Sequence, residues 1–175
     1  MKTIESQIDA LAAEWPTLAL VERNGRSAVW QGRLGPFETS YLVRISYEAP
    51  VAPQLFAIWQ VMPRIRVLAP ALEHHPDYEL GPLPHVYWRG PKRNEPELCV
   101  FDPATEEWSP CDLLAKTTVF WTLDWLIFYE GWLATRRWRG KGRDHDRNAG
   151  RRFGKDRAAV QRLDSWLTST ASLAA

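Results

Sequence analysis

The chain has 175 residues, of which 45% are apolar and 25% charged, and its formal net charge is +1. These values are typical of one soluble globular domain with a sizeable core, and they exclude an overall positive field that would attract nucleic acid. Two cysteines are too few for a disulfide framework, and the ten tryptophans are interpreted first as core residues and second as interface anchors.

The N-terminal segment predicts an amphipathic helix rather than a signal peptide. Residues 3–14 place apolar side chains at helical spacing, Thr3 can cap the first turn, and Pro16 ends the pattern. Acidic residues within this stretch leave no apolar signal-peptide core. We therefore expect a cytoplasmic protein with reduced thiols.

Alternating apolar and polar residues predict an antiparallel meander after this helix. The pair Asn24-Gly25 is a strong signal for a hairpin turn. The run 54–61 fits either a strand or a short helix, because periodicity cannot decide so short a run. The four predicted strands lie at 18–23, 27–34, 39–47 and 63–68.

A long irregular stretch separates the strands from the helical part of the chain. Residues 69–98 contain six prolines and two glycines, and so long a loop inside a compact domain is usually functional. The sequence Ser109-Pro110-Cys111-Asp112 then predicts the start of a deeply packed helix. Three charged residues within 113–134 argue against a membrane span.

The C-terminal part carries a local excess of positive charge. Residues 136–157, called here the basic segment, hold ten Lys or Arg against three Asp, a local net charge of +7. We interpret it as a solvated or partner-binding segment, with base stacking on Trp138 and Phe153 as the alternative. Residues 155–167 predict a last helix. The whole chain, 1–175, is thus predicted to be a single α+β domain.

Cys99 is the residue with the most chemical promise. It follows a loop rich in proline and charge, a setting in which a thiol can act as an exposed nucleophile, although a small buried core residue fits the spacing equally. Cys111 is given a structural role in the first helical turn. The spacing of the two cysteines matches no common zinc-ligand pair, so no metal or other cofactor is expected.

His85 opens the loop that leads to Cys99. It can hold the loop in shape through hydrogen bonds with the backbone, or it can act as a general base. The remaining histidines, His74, His75 and His145, lie in polar segments and are interpreted as solvated.

These residues resemble the pattern of ubiquitin-conjugating (E2) enzymes over roughly residues 3–135. In that comparison 41–47 is similar to the third strand, 62–67 to the fourth strand, 98–100 to the catalytic cysteine, and 108–110 to the Trp and Pro before a helix. The chain is more closely similar to E2-like proteins of bacterial CBASS anti-phage operons. The motifs that carry this likeness are Leu123-Asp124-Trp125-Leu126, Tyr129-Glu130-Gly131-Trp132 and Trp138-Arg139-Gly140-Lys141-Gly142.

The resemblance implies a UBC-like fold with an N-terminal helix, a four-stranded antiparallel meander, a long active-site loop and C-terminal helices. It implies that Cys99 forms a thioester with the C-terminus of a cGAS/DncV-like nucleotidyltransferase and passes it to an amine on an unknown acceptor protein. His85 would assist or shape the loop. Binding or loop support is expected from Tyr87, Asn94, Asp102 and Trp108.

The chain departs from the E2 pattern near His85. Val86-Tyr87 replaces the usual Pro-Asn, so the oxyanion is expected to be stabilised by Asn94 or by backbone N–H groups. No adenylating domain is expected within 175 residues, so the activated donor must come from a partner or by another route. The alternatives are a catalytically inactive E2-like binding module and a nucleic-acid-binding protein that uses the basic segment. No membrane partner is expected.

Overall fold

The structure, a computed structural model, describes residues 1–52, 57–75, 82–88 and 96–140. These residues form an α+β fold in which a helix precedes an antiparallel sheet and a long helix follows it. The elements are α1 (Ile4–Glu14), β1 (Leu18–Asn24), β2 (Ser27–Leu34), β3 (Tyr41–Glu48), α2 (Ile58–Val61), β4 (Arg64–Ala69), β5 (Val86–Tyr87), β6 (Glu97–Leu98), a 3₁₀ turn (Leu114–Lys116) and α3 (Thr118–Thr135).

The predicted four-stranded meander is confirmed, and two short strands widen it. The strand order is β1-β2-β3-β4-β6-β5, with every neighbouring pair antiparallel. The Asn24-Gly25 turn is present, and Gly25 has a φ of 54°, which its lack of a Cβ permits without strain. The ambiguous run before β4 contains the short helix α2.

The inner face of the sheet and the two long helices enclose the core. Every second residue of β3 is buried, and at its centre Val43 and Ile45 have no exposed surface. Tyr41 ties this face to α3 by donating from its hydroxyl to Glu130 Oε1 at 2.5 Å.

The interpretation of tryptophans as core residues is partly right. Trp30, Trp108, Trp125 and Trp132 are buried, whereas Trp59 and Trp88 are exposed.

The predicted start of the long helix is wrong by several residues. Ser109 and Asp112 do interact locally, since Asp112 Oδ2 accepts hydrogen bonds from the Ser109 amide at 2.8 Å and its hydroxyl at 2.9 Å. These bonds close a turn rather than a helix, and α3 begins only at Thr118. The reason is tertiary, because Gln7 of α1 bonds to the Leu114 amide and to the Asp112 carbonyl, which an α-helix would pair within itself.

The predicted N-cap of α1 is confirmed, since Thr3 Oγ1 accepts from the Ser6 amide at 3.2 Å. Several predictions fall outside the described residues. They concern the last helix at 155–167, residues 141–157 of the basic segment, His145 and Asn94. Among the helices that the structure describes, none combines the length and the apolar character needed to cross a membrane.

Candidate active site

The backbone of Cys99 is fixed by the loop residue that precedes it by fourteen positions. The Cys99 amide donates to the carbonyl oxygen of His85 at 2.9 Å, which extends the β5–β6 pairing by one residue beyond Val86 and Leu98. The same carbonyl accepts from Trp125 Nε1 of α3, also at 2.9 Å. His85 has a φ of 51°, in the left-handed region that is uncommon for residues with a Cβ. The His85 carbonyl therefore joins the sheet edge, the cysteine and α3.

Among the described residues, two place a polar atom within hydrogen-bonding distance of the Cys99 sulfur. This Sγ lies 3.1 Å from the hydroxyl oxygen of Tyr87 and 3.5 Å from the carbonyl oxygen of Phe101. Cys99 itself is 8% exposed. The nucleophile candidate is thus largely covered, and its sulfur is placed against a phenol.

A pocket of about 630 Å³ opens beside this thiol. Its walls carry five Phe and Trp rings, with ionisable side chains among them. The residues that line it are His85, Cys99, Val100, Phe101, Asp102, Glu107, Trp121, Asp124, Trp125, Phe128, Trp138, Arg139 and Gly140. Such a concave apolar pocket with a few polar groups is the form that small ligands and peptide ends fit.

The ring of His85 packs against the chain that returns from the end of α3. Arg136 ends the helix with a φ of 57°, and the chain then turns back over the pocket. Trp138 stacks on the His85 ring with centroids 4.8 Å apart and planes 22° apart, and it also contacts Trp125 and Phe128. The described contacts of His85 are made by its backbone carbonyl and by stacking of its ring, so its role as a loop support or as a general base stays a prediction.

Asp102 and Trp108 lie in the loop that follows Cys99. The Asp102 carboxylate accepts from the Ala104 amide at 2.9 Å, and the backbone carbonyl of Asp102 accepts from the Thr105 hydroxyl at 2.9 Å. Asp102 therefore closes a tight turn. Trp108 is 1% exposed and packs in the core against Tyr47 and Phe101, at centroid distances of 5.9 Å to each ring. Asp102 therefore shapes the loop locally, and Trp108 anchors it to the core.

A buried carboxylate anchors the strand that carries Cys99. Glu97 is 2% exposed, and its Oε1 lies 2.7 Å from Arg66 Nη2 and 3.9 Å from Arg64 Nη1. Arg66 and Glu97 are also register partners between β4 and β6. Because a buried charge is costly without its partner, this pair fixes the strand ahead of the thiol.

Cys111 does not join this arrangement. It is exposed and lies in the turn before the 3₁₀ turn, so the prediction that it occupies a helical first turn is wrong. Within the described part of the chain, no three His, Cys, Asp or Glu side chains are grouped closely enough to hold a metal ion.

The interpretation of His75 as merely solvated is also wrong. His75 Nε2 is hydrogen-bonded to the Arg136 guanidinium, and its ring meets Trp132 edge-on at a centroid distance of 5.0 Å. His74, which is exposed, meets Trp88 in the same manner at 5.3 Å. The His75 contacts help to fix the chain around the end of α3.

The aromatic walls of the pocket were not identified as site residues from the sequence. Trp121, Trp125 and Phe128 recur at i, i+4 and i+7 in α3, a spacing that places them on one helical face. That periodicity was the available signal, but it equally describes a helix packed in a core. Only the position of Cys99 opposite this face distinguishes a pocket wall from a helix packed in a core.

Comparison with known proteins identifies one family. The model of the family described as Type II CBASS E2 protein matches residues 7–146. No curated protein is significantly similar to the chain.

Proposed function

We propose, since the chain belongs to the Type II CBASS E2 protein family, that Cys99 carries an acyl group as a thioester in anti-phage defence. The family assigns an E2-like role in CBASS, and the chemistry below is our inference about how this chain performs it. The described order of helix, antiparallel meander, cysteine and long helix agrees with the proposed UBC-like fold.

The observation that carries the proposal is the position of Cys99 at a pocket beside a fixed backbone. The His85 carbonyl holds the Cys99 amide, and the sulfur lines an aromatic pocket large enough for the end of a peptide chain. A thioester requires an acyl carbon next to sulfur, so the C-terminal residues of the donor would occupy this pocket. Its aromatic walls would exclude water from the thioester.

The proposed reaction has two steps. The Cys99 thiolate attacks the activated C-terminal carbonyl of the donor, and an amine of the target then attacks the thioester and releases Cys99. Three acidic side chains, Asp102, Glu107 and Asp124, line the same pocket and would attract a lysine ammonium group. His85 supports the site through its backbone, and its ring keeps Trp138 over the pocket.

The proposed donor is the C-terminus of a cGAS/DncV-like nucleotidyltransferase, as expected for an E2-like protein within a CBASS system. The donor must arrive already activated, for example as the thioester of a separate activating enzyme. The acceptor is a primary amine on another protein.

The experiment co-expresses the chain with the nucleotidyltransferase and the activating enzyme of its own operon, and analyses lysates on non-reducing gels. The expected result is an adduct that dithiothreitol cleaves, present in the wild type and in Cys111→Ala but absent in Cys99→Ala. Because Cys111 is exposed, its substitution is the matched control for non-specific thiol chemistry. An adduct that survives in Cys99→Ala would contradict the proposal.

One observation favours the second candidate, an inactive E2-like binding module. Cys99 is only 8% exposed, and a buried thiol in apolar surroundings is ordinarily inert. The two functions differ in thiol reactivity. If Cys99 forms no adduct and also resists iodoacetamide in the folded protein, the binding module is the better description.

A further inference from the structure

We propose that the Tyr87 hydroxyl is a catalytic hydrogen-bond donor to the sulfur of Cys99, acting both when the sulfur attacks and when it leaves. This inference rests on the proposed function, since it assigns a role within the same thioester chemistry. It is carried by the 3.1 Å distance between Tyr87 Oη and Cys99 Sγ.

The fold holds these two atoms together through the edge of the sheet. Tyr87 lies opposite Glu97 in the β5–β6 pair, and the Cys99 amide bonds to the carbonyl of His85, two residues before Tyr87. The two side chains therefore project from neighbouring positions of one short antiparallel ladder. The contact follows from backbone pairing rather than from a mobile side chain reaching across solvent.

The direction of the hydrogen bond changes with the charge on sulfur. In the neutral protein the thiol can donate to the phenol oxygen. Once Cys99 is deprotonated its sulfur can only accept, and the Tyr87 O–H becomes the donor. Hydrogen bonds to an ionised group are about twice as strong as neutral ones, so this contact favours the thiolate over the thiol.

Among the residues that the structure describes, the ionisable side chains beside the sulfur include more acids than bases. The ionisable side chains that share its pocket are His85, Asp102, Glu107, Asp124 and Arg139. Three of the five are carboxylic acids, which disfavour a thiolate. Glu97, opposite Tyr87, has its carboxylate against Arg66 and farther from Arg64. A neutral donor at hydrogen-bonding distance stabilises the thiolate without adding charge to the pocket.

The same contact serves both chemical steps. In the first, the thiolate attacks the carbonyl of a thioester donor, the carbon–Sγ bond forms, and the donor's own sulfur leaves with the electron pair. In the second, an amine nitrogen attacks, the carbon–nitrogen bond forms, the carbon–Sγ bond breaks, and its electron pair returns to Sγ. The amine proton passes to solvent. Tyr87 keeps its proton throughout and donates to the sulfur at the start and at the end.

The test compares Tyr87→Phe with Tyr47→Phe, both in a Cys111→Ala background in which Cys99 is the only cysteine. Tyr47 is a matched control, because its hydroxyl is buried and bonds to no described residue. Circular dichroism establishes that each variant is folded. The probes are iodoacetamide for alkylation and N-acetylglycine thiophenyl ester for acylation, each followed by intact mass across pH 6–10. Free lysine is then added to discharge the acyl-enzyme.

In Tyr87→Phe the midpoint of the pH–rate profile of alkylation is expected to rise by about one pH unit. A more basic thiolate is also more nucleophilic. The variant should therefore react about threefold more slowly below the midpoint and about threefold faster above it. Discharge by lysine should slow by about threefold, because the sulfur has become a poorer leaving group. A purely structural role would not produce such a crossover.

The remaining outcomes separate the two claims. The parent protein is the Cys111→Ala variant with both tyrosines intact. If this parent forms an acyl-enzyme and Tyr87→Phe has the parent's midpoint and discharge rate, the Tyr87 assignment is wrong and the proposed function stands. If the parent forms no acyl-enzyme while its thiol is alkylated, the proposed function fails. An equal shift in Tyr47→Phe would also overturn the assignment.

Discussion

Gln7 of α1 and Leu114 of the 3₁₀ turn are joined by a buried hydrogen bond. The Leu114 amide donates to Gln7 Oε1 at 2.9 Å, and Gln7 Nε2 donates to the carbonyl oxygen of Asp112 at 2.8 Å. Gln7 has no exposed surface. One side chain thus satisfies two backbone groups of the segment between the site loop and α3, which explains why this segment is not α-helical.

Replacing Gln7 by Ala should destabilise the fold strongly. It leaves a buried N–H and a buried carbonyl without partners, so we expect a loss of about 3 kcal/mol in the free energy of unfolding. Urea denaturation measures it. Gln31→Ala, on a half-buried strand position, should cost less than about 1 kcal/mol. Similar costs for the two variants would show that the two bonds contribute little.

Trp125→Phe should weaken the site as well as the core. The change removes the indole N–H that donates to the His85 carbonyl and also reduces the packing beside Tyr129. We expect a loss of about 2 kcal/mol and slower adduct formation. Trp121→Phe is the control, because its indole lines the same pocket but donates to no described residue. If the two variants form adduct at the same rate, the bond to His85 does not position Cys99.

Gly140→Ala should disturb the pocket. A Cβ at this position would lie 2.7 Å from both Phe128 Cδ2 and Trp138 Nε1, so at least one ring must move. We expect destabilisation of about 1–2 kcal/mol and less adduct, since Trp138 would lose its stacking on His85.

The matched change for that prediction is Gly131→Ala in α3. A Cβ there meets nothing within 4 Å, and alanine favours a helix, so stability should rise by about 0.5–1 kcal/mol. Parallel changes in the two alanine variants would mean that the space around Gly140 is not restrictive.

The stability of the protein should fall in alkaline solution. Burial raises the pKa of Tyr47 to about 12, and burial does the same for Tyr129. Between pH 10 and 12 the unfolded chain loses these phenol protons while the folded chain keeps them, so unfolding becomes easier as pH rises. Each tyrosine can contribute up to about 1.4 kcal/mol per pH unit.

Urea denaturation at pH 9, 10 and 11 measures this slope. Tyr47→Phe should decline less steeply than the wild type, because one of the titrating groups is gone. It should have nearly wild-type stability at pH 8, since its hydroxyl bonds to no described residue. An unchanged slope in the variant would mean that Tyr47 titrates normally in the folded protein.

The sequence predicted those parts of the fold that local chemistry determines. Asn24-Gly25 requires a tight turn, and the alternation in β3 matches a strand with one buried face, so the meander could be predicted. The strands β5 and β6 could not, because each has two residues and exists only through pairing across a long loop. The start of α3 was misplaced because Gln7, about a hundred residues away, occupies the backbone groups concerned.

The candidate site, too, could be predicted from the sequence only in part. Cys99 and His85 stand out by residue type and by their position in an irregular loop. Their shared hydrogen bond, the contact between Tyr87 and sulfur, and the aromatic wall from α3 depend on distant segments meeting. No spacing rule connects Tyr87 to a thiol twelve residues later, since only strand pairing sets that distance.

The strand order gives the candidate site a particular place in the sheet. β5 and β6 lie at one edge and pair through two residue pairs, whereas β2 and β3 pair through eight. Short edge pairs open more easily than central ones, so amide hydrogens here should exchange with deuterium long before those of β3. Local opening of this edge would uncover the Cys99 sulfur to the proposed donor without unfolding the core, and Tyr87 would donate to the sulfur once the β5–β6 pair has closed again.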